Sequence, residues 1–158
     1  MTSRVLVALR VPGQPDRAFR VFTEEVGLWW RPNVLFQTTP RAPGAMAFEP
    51  PGEGTPGRFV ERLANGKLHV VGEVTAWEPG VRLAFGWRAA TFAPDQHTKV
   101  EVRFEAVDGE TRVTVEHQGW DSVPAGHVAR HTMPTGVFDL RLAEWWRVLL
   151  TSLKGRLA

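Results

Sequence analysis

The sequence predicts an α+β fold in which a curved antiparallel sheet of about six to seven strands wraps around a long C-terminal helix. Residues 99–107 and 111–117 alternate apolar and polar side chains with a period of two, which is typical of half-buried strands. Asp108 and Gly109 lie between them and predict a tight hairpin turn, because glycine tolerates the positive φ that such turns require. The side chains expected to face the core are Val100, Val102, Phe104, Ala106, Thr111, Val113, Val115 and His117.

The last segment, residues 138–157, changes from a period of two to helical spacing. Its apolar residues fall three or four positions apart and therefore form one stripe along a helix. The stripe consists of Phe138, Leu142, Trp145, Leu149 and Leu153, with Trp146 beside it. A sheet with one apolar face must be covered, and this helix is the strongest candidate for the cover.

The N-terminal part of the chain predicts one strand followed by two short helices. Residues 5–11 form the strand. A helix is expected to begin at Pro15 or the residue after it and to run to Val26, because proline suits the first helical turn. Gly27 is expected to end this helix, and a second short helical piece is expected around residues 24–30.

The middle of the chain predicts four further strands, at residues 45–49, 57–63, 68–77 and 81–88. Asn65 and Gly66 provide the strongest short hairpin signal in the sequence. Tight turns join most of the strands, so the sheet is expected to be mainly antiparallel. The proline- and glycine-rich residues 38–57 are either a short strand flanked by long loops or a mobile lid.

The composition limits the chemistry that the chain can perform. With 158 residues it is long enough to bury its own core, and we expect a single domain over residues 1–158 without a cofactor. The absence of cysteine excludes disulfides, zinc–thiolate sites, iron–sulfur clusters and thiol nucleophiles. The sequence contains no serine-nucleophile motif, phosphate-binding loop or dinucleotide fingerprint.

Charge and hydropathy bear on partners and location. The formal charge is +2 and the pI is near 9.7, but basic residues alternate with acidic ones and form no basic block. We therefore expect no nucleic-acid partner. No secretion signal follows Met1, and no apolar run approaches the roughly 20 residues of a membrane span. These patterns predict a soluble cytoplasmic protein.

Four stretches of the sequence, taken in order, resemble one protein family. They are residues 18–23 followed by Trp29 and Trp30, residues 72–83 followed by Trp87, residues 98–107 with 111–115, and residues 117–120 leading to Trp145 and Trp146. In the order and spacing of these stretches, the chain resembles homologues of the activator of the heat-shock-protein-90 ATPase. That family lies within the START and Bet v 1-like (SRPBCC) superfamily, so the resemblance implies a helix-grip fold. The family name describes homology to a co-chaperone domain and is not evidence that this chain activates a chaperone.

The resemblance also implies an apolar cavity between the sheet and the last helix, which in the superfamily holds lipids, polyketides, hormones and other apolar molecules. We therefore expect the chain to bind a small hydrophobic or aromatic molecule. Aromatic side chains serve either as core filling or as cavity wall, and the sequence does not separate the two roles. The predicted ligand-binding residues are Trp30, Phe85, Trp87, Val102, Phe104, Val115, His117, Trp120, Phe138, Leu142 and Trp145.

Histidines and carboxylates are the other candidates for chemistry. His127 and His131 are four residues apart, so they would share a helix face and could hold a metal. The sequence indicates no third ligand. We therefore expect both histidines at the surface or at the cavity rim, and we predict no metal site. His117 has two possible roles. It contacts a ligand, as hydrogen-bond partner or acid–base group, or it is a core histidine bonded to a backbone carbonyl. We favour the core role. Glu61 and Glu73 are a candidate carboxylate pair, with Glu73 expected on the exposed face.

Two other functions stay open beside ligand binding. An enzyme of the cyclase or dehydratase kind would use the same cavity with His117 as acid–base group, although a role without catalysis is favoured. A protein-interaction module would need an exposed apolar patch, which residues 28–30 or the proline-rich segment would offer. The natural ligand, and whether the chain forms a homodimer or has a protein partner, are not determined by the sequence.

Overall fold

The computed structural model describes residues 4–39 and 43–158. Along these residues lie seven strands, three α-helices and two short 3₁₀ helices. The strands are β1 (Arg4–Val11), β2 (Ala45–Glu49), β3 (Arg58–Arg62), β4 (Leu68–Glu78), β5 (Arg82–Trp87), β6 (Thr98–Val107) and β7 (Glu110–Gln118). The helices are α1 (Pro15–Glu24), α2 (Val26–Trp29) and α3 (Thr135–Leu157), and the 3₁₀ helices are Trp120–Ser122 and Val128–Arg130.

The strands form one antiparallel sheet in the order β1-β7-β6-β5-β4-β3-β2. Strands β2 to β7 are neighbours in chain order, and β1 pairs with β7 at the far edge. The register of β4 is irregular against both β3 and β5, and such bulges bend a sheet and increase its twist. The predicted α+β fold with a curved antiparallel sheet is confirmed.

Helix α3 covers the apolar face of the sheet and carries the predicted stripe. Its buried residues are Phe138, Leu142, Trp145, Trp146, Leu149, Leu150, Leu153 and Leu157. The inward positions of β6 and β7 are buried as predicted, with one exception. Ala106 is exposed, because it lies at the end of β6 beside the hairpin turn, where Asp108 and Gly109 adopt φ of 49° and 80°.

The boundary between the two short helices differs from the prediction. Helix α1 ends at Glu24, while Val26 and Gly27 belong to α2, so Gly27 does not end the first helix. The reason is a contact that the local sequence does not reveal. The Trp29 indole N–H donates to the carbonyls of Val21 and Phe22, at 3.2 and 3.3 Å, and so satisfies acceptors in the last turn of α1.

The proline-rich segment is a short strand flanked by loops wherever it is described. Strand β2 pairs with β3 along its whole length. This agrees with the first of the two interpretations of residues 38–57, of which residues 40–42 lie outside the described part of the chain. Within that described part, none of the helices has the length and hydropathy of a transmembrane segment.

Candidate functional site

A cavity of about 200 Å³ lies at one end of the core, between three loop segments. We call it the large cavity, in contrast to a smaller one described below; more open surface grooves of about 700 and 430 Å³ lie along α3. Its wall includes Val34, whose exposed fraction of 80 % places one rim at the surface. The full lining is Val34, Leu35, Phe36, Gln37, Thr38, Thr39, Trp87, Ala89, Thr91, Trp120, Val128, Ala129 and His131.

Hydrogen bonds from two histidines hold the loop segments of the large cavity together. The Nε2 atom of His131 lies 2.5 Å from the carbonyl oxygen of Leu35, which joins the segments at 128–131 and 34–39. The Nε2 atom of His127 lies 3.0 Å from the carbonyl oxygen of Thr91. Both contacts cross between segments that are distant in sequence, so the two histidines position the mouth of the cavity.

Trp120 reaches the wall because the chain turns sharply after β7. Gly119 has a φ of 98°, in the left-handed region that favours glycine, and its hydrogen atoms face the carbonyl oxygen of His97 and the backbone of Thr98. The Trp120 ring then packs 5.4 Å from the Trp87 ring and 4.8 Å from Phe138. A Cβ atom at position 119 would lie 3.1 Å from the His97 carbonyl oxygen and would be strained at this φ, so glycine favours the turn that places the Trp120 indole.

Three buried polar atoms in residues of this wall have no hydrogen-bond partner among the described residues. They are the indole N–H groups of Trp87 and Trp120 and the hydroxyl of Thr39. A buried donor without a partner costs about 1–3 kcal/mol, and such groups are rare in folded proteins. The other described indoles that are fully or nearly fully buried do find acceptors, since Trp29, Trp145 and Trp146 each donate to a carbonyl or an imidazole.

A buried arginine lies behind the wall that Trp120 forms. Arg130 is 3 % exposed, and its guanidinium donates to the carbonyls of Trp120 and Val123 at 3.2 and 3.0 Å. It also donates to the Thr135 hydroxyl and lies over the Phe138 ring, 4.7 Å from its centre. These contacts join the two 3₁₀ segments to the first turn of α3 behind the wall of the large cavity.

A second cavity of about 70 Å³, which we call the small cavity, lies on the other side of residues 36–38. Glu61 lines it and is only 2 % exposed. Its carboxylate accepts hydrogen bonds from the Thr38 hydroxyl and from the backbone N–H of Gly44, the latter at 2.7 Å. Glu61 faces inward because it lies two residues after buried Phe59, on the same face of β3.

His117 is completely buried behind the large cavity and does not line it. Its Nδ1 accepts from the Trp146 indole at 3.2 Å, so the ring proton lies on Nε2, which is 2.8 Å from the Thr98 hydroxyl. Thr98 in turn donates to the carbonyl of Trp87 at 2.6 Å. Burial lowers the pKa of His117 to about 3, so the imidazole is neutral at physiological pH. Its partners are side chains rather than the backbone carbonyl that we expected.

The structure divides the predicted ligand-binding residues into three groups. Trp87 and Trp120 line the large cavity, and Trp30 and Trp145 line the small one. The remaining seven are buried in the core and line neither cavity: Phe85, Val102, Phe104, Val115, His117, Phe138 and Leu142. Aromatic rings fill the space between them, since Phe85 packs on Phe48 and Phe59, and Phe104 packs on Phe19 and Phe22. Their role in ligand binding stays a prediction.

Two candidate pairings that the sequence offered are not formed. His127 and His131 do not share a helix face, because the 3₁₀ helix between them ends at Arg130 and His131 has a φ of 53°. Within the described residues, no three potential ligands group around a metal position. Glu61 and Glu73 lie on opposite faces, with Glu73 exposed as expected and opposite Arg58 in the sheet.

Several residues of the candidate site were missed from the sequence. The loop residues Val34, Leu35, Thr38, Thr39, Ala89, Thr91 and Ala129 carry no periodic pattern that would mark them as cavity wall. For Glu61 a signal existed, because it shares the inward alternation of Phe59. The suggested interaction patch at residues 28–30 is mostly covered, since Trp29 is buried, Trp30 is half-buried and only Leu28 is exposed.

The sequence profile of the family described as "Activator of Hsp90 ATPase homolog 1-like protein" matches residues 13–157. The chain belongs to this family. Membership agrees with the helix-grip arrangement of sheet and last helix, and the resemblance noted from the sequence is confirmed. No curated protein matches the sequence. In this member of the activator homolog 1-like family, the large and small cavities lie near the loop ends of an aromatic core.

Solved structures show the same fold at low sequence identity. Protein MLL2253 from Mesorhizobium loti is 18 % identical, with a TM-score of 0.61 over 95 % of this chain and 96 % of that one. Ara h 8.0201 is 14 % identical, with a TM-score of 0.58 over 99 % and 98 % of the two chains. DynU16, a protein in the dynemicin biosynthetic locus, is 20 % identical, with a TM-score of 0.60 over 96 % of this chain and 46 % of its own. At these identities the likeness establishes the Bet v 1-like helix-grip fold.

Proposed function

We propose that the protein binds a small hydrophobic or aromatic molecule that carries a hydrogen-bond acceptor, and that the large cavity is the binding site. The observation that carries the proposal is the set of three unpaired polar groups in residues of its wall, the two indole N–H groups and the Thr39 hydroxyl. Membership of a helix-grip family supports the class of ligand, because proteins of this fold commonly hold apolar molecules. The large cavity lies between loops at one end of the core and not between the sheet and α3, where buried side chains fill the space.

The size of the large cavity supports a ligand of about one ring. Its volume is about 200 Å³, and an apolar cavity of about 150 Å³ is known to accept benzene. Wall residues such as Leu35, Phe36 and Ala129 offer apolar contact, whose burial is worth about 25 cal/mol per Å².

The polar groups around the cavity support an acceptor on the ligand. Indole N–H groups only donate, so a carbonyl, ether or carboxylate oxygen that reaches the buried N–H of Trp87 or Trp120 would supply the missing acceptor. No comparable feature favours catalysis, because His117 is neutral and is separated from the cavity by the rings of Trp87 and Trp120, at 5.5 and 5.6 Å.

A matched pair of small molecules tests this proposal. Acetophenone and ethylbenzene have similar size and shape, but only acetophenone carries an acceptor. We expect acetophenone to bind about fivefold more tightly, because one neutral hydrogen bond contributes about 1 kcal/mol. Titrations followed by the ¹⁵N–¹H signals of the indoles measure both affinities and identify the groups that respond.

Substitutions of single indoles supply the control. Trp87→Phe and Trp120→Phe keep an aromatic ring but remove a donor, so both should reduce the preference for acetophenone. Trp29→Phe removes an indole that is already paired and lines neither cavity, so it should keep the preference. Equal affinities for the two molecules in the unmodified protein, or no saturable binding of either, would contradict the proposal. If acetophenone is preferred, native mass spectrometry of protein purified from its own cells would identify the natural ligand by its mass.

A further inference from the structure

The small cavity combines a buried carboxylate with aromatic walls. Glu61 lies on β3, and its Cα partner across the β2–β3 ladder is Met46, which lines the same cavity. Trp30, Phe36 and Trp145 form other parts of the wall. This arrangement is separate from the unpaired donors of the large cavity and does not depend on the proposed function.

The carboxylate of Glu61 has only neutral partners among the described residues. One oxygen accepts from the Thr38 hydroxyl and the other from the backbone N–H of Gly44. None of the described ion pairs includes Glu61. Burial of a carboxylate is costly unless a positive charge joins it, and two hydrogen bonds leave further lone pairs of this group unused.

The aromatic walls suit the carbon chain of an amine. The Trp30 ring lies edge-on to Trp145 with the ring centres 5.4 Å apart, and Phe36 stacks on one face of Trp145 at 5.2 Å. The Trp145 N–H already donates to the carbonyl of Arg31 at 2.9 Å, so this indole has no further donor to offer a ligand. The rings therefore give the small cavity an apolar side opposite the carboxylate.

We propose that the small cavity is a binding site for a primary ammonium group, with Glu61 as its counter-ion and the rings of Trp30 and Trp145 around its carbon chain. A volume of about 70 Å³ exceeds what one water needs and limits the occupant to a short alkylamine or the amine end of a longer molecule. The three N–H donors of an ammonium match the unused lone pairs of the carboxylate.

The experiment compares butylammonium chloride with butan-1-ol, which has the same carbon chain and no charge. Both are titrated into the full chain at constant ionic strength, and the indole ¹⁵N–¹H signals of Trp30 and Trp145 are followed. We expect saturable shifts of these two signals with butylammonium and binding of butan-1-ol about tenfold or more weaker, since hydrogen bonds to charged groups are the stronger class. Equal affinities for amine and alcohol would overturn the proposal.

Two substitutions separate binding from folding. Glu61→Gln keeps an acceptor for Thr38 or Gly44 but removes the charge, and we expect it to lose butylammonium binding about tenfold or more. A folded Glu61→Gln protein that binds the amine as well as the unmodified chain overturns the proposal. If that variant does not fold, Met46→Lys decides the question, because it places an ammonium directly across the ladder from Glu61. We expect Met46→Lys to fold and to exclude butylammonium; a variant that unfolds, or that still binds the amine, contradicts the site.

Discussion

Gly72→Ala is expected to lower the free energy of unfolding by about 3 kcal/mol or more. A Cβ atom on residue 72 would overlap the carbonyl group of Gly86 and stand 2.6 Å from its Cα. Neither backbone can move aside, because β4 and β5 are held together on both sides of this point, for example by the Arg88 N–H and the Val71 carbonyl at 2.8 Å. Chemical denaturation followed by tryptophan fluorescence measures the loss.

Gly86→Ala is the matched control for that prediction. The two glycines approach each other, but a Cβ on residue 86 would meet no atom closer than 3.5 Å, which is ordinary van der Waals contact. We expect a change in unfolding free energy of no more than about 1 kcal/mol. Similar losses in the two variants would show that the close approach of β4 and β5 is not what requires glycine at position 72.

Acidification is expected to destabilise the protein through His117, by about 1.4 kcal/mol for each pH unit between 6.5 and 3. In the unfolded chain this imidazole takes up a proton as the pH falls through about 6.5. In the folded protein burial holds its pKa at about 3, so the unfolded state binds more protons throughout this interval. Stability therefore falls as the pH falls, and is regained on return to neutral pH.

Denaturation curves at a series of pH values test this prediction against two variants. His117→Gln keeps an acceptor for the Trp146 indole and a donor for Thr98 but does not titrate, so its stability should depend less steeply on pH. His127→Gln changes a loop histidine outside the core and should keep the slope of the unmodified protein. If His117→Gln showed the unmodified slope, acid destabilisation would arise from other groups.

The fold was predictable because its information is periodic and local. The alternation in β6 and β7 and the stripe on α3 follow directly from the direction of side chains on strands and helices. The error at Gly27 has the opposite origin. The Trp29 indole, which belongs to α2, donates to carbonyls in the last turn of α1. No residue pattern within α1 indicates that contact.

The candidate site was less predictable, because a cavity is the volume that the side chains of the core leave unfilled. Phe85 and Trp87 alternate on the same face of β5, yet the first is packed among other phenylalanines and the second borders a cavity. Periodicity assigns both residues to the inner face but does not measure the volume left around each. The mouth is formed by loops, where His127 and His131 bind carbonyls far away in sequence.

Residues 36–38 form a wall of both cavities. Phe36 anchors this wall by stacking on Trp145, and Thr38 is held by Glu61 on one side and by the Ala90 N–H on the other. Any shift of the wall enlarges one cavity at the expense of the other. Binding of a molecule in one cavity is therefore expected to change the affinity of the other cavity, and by linkage the two affinities would change by the same factor.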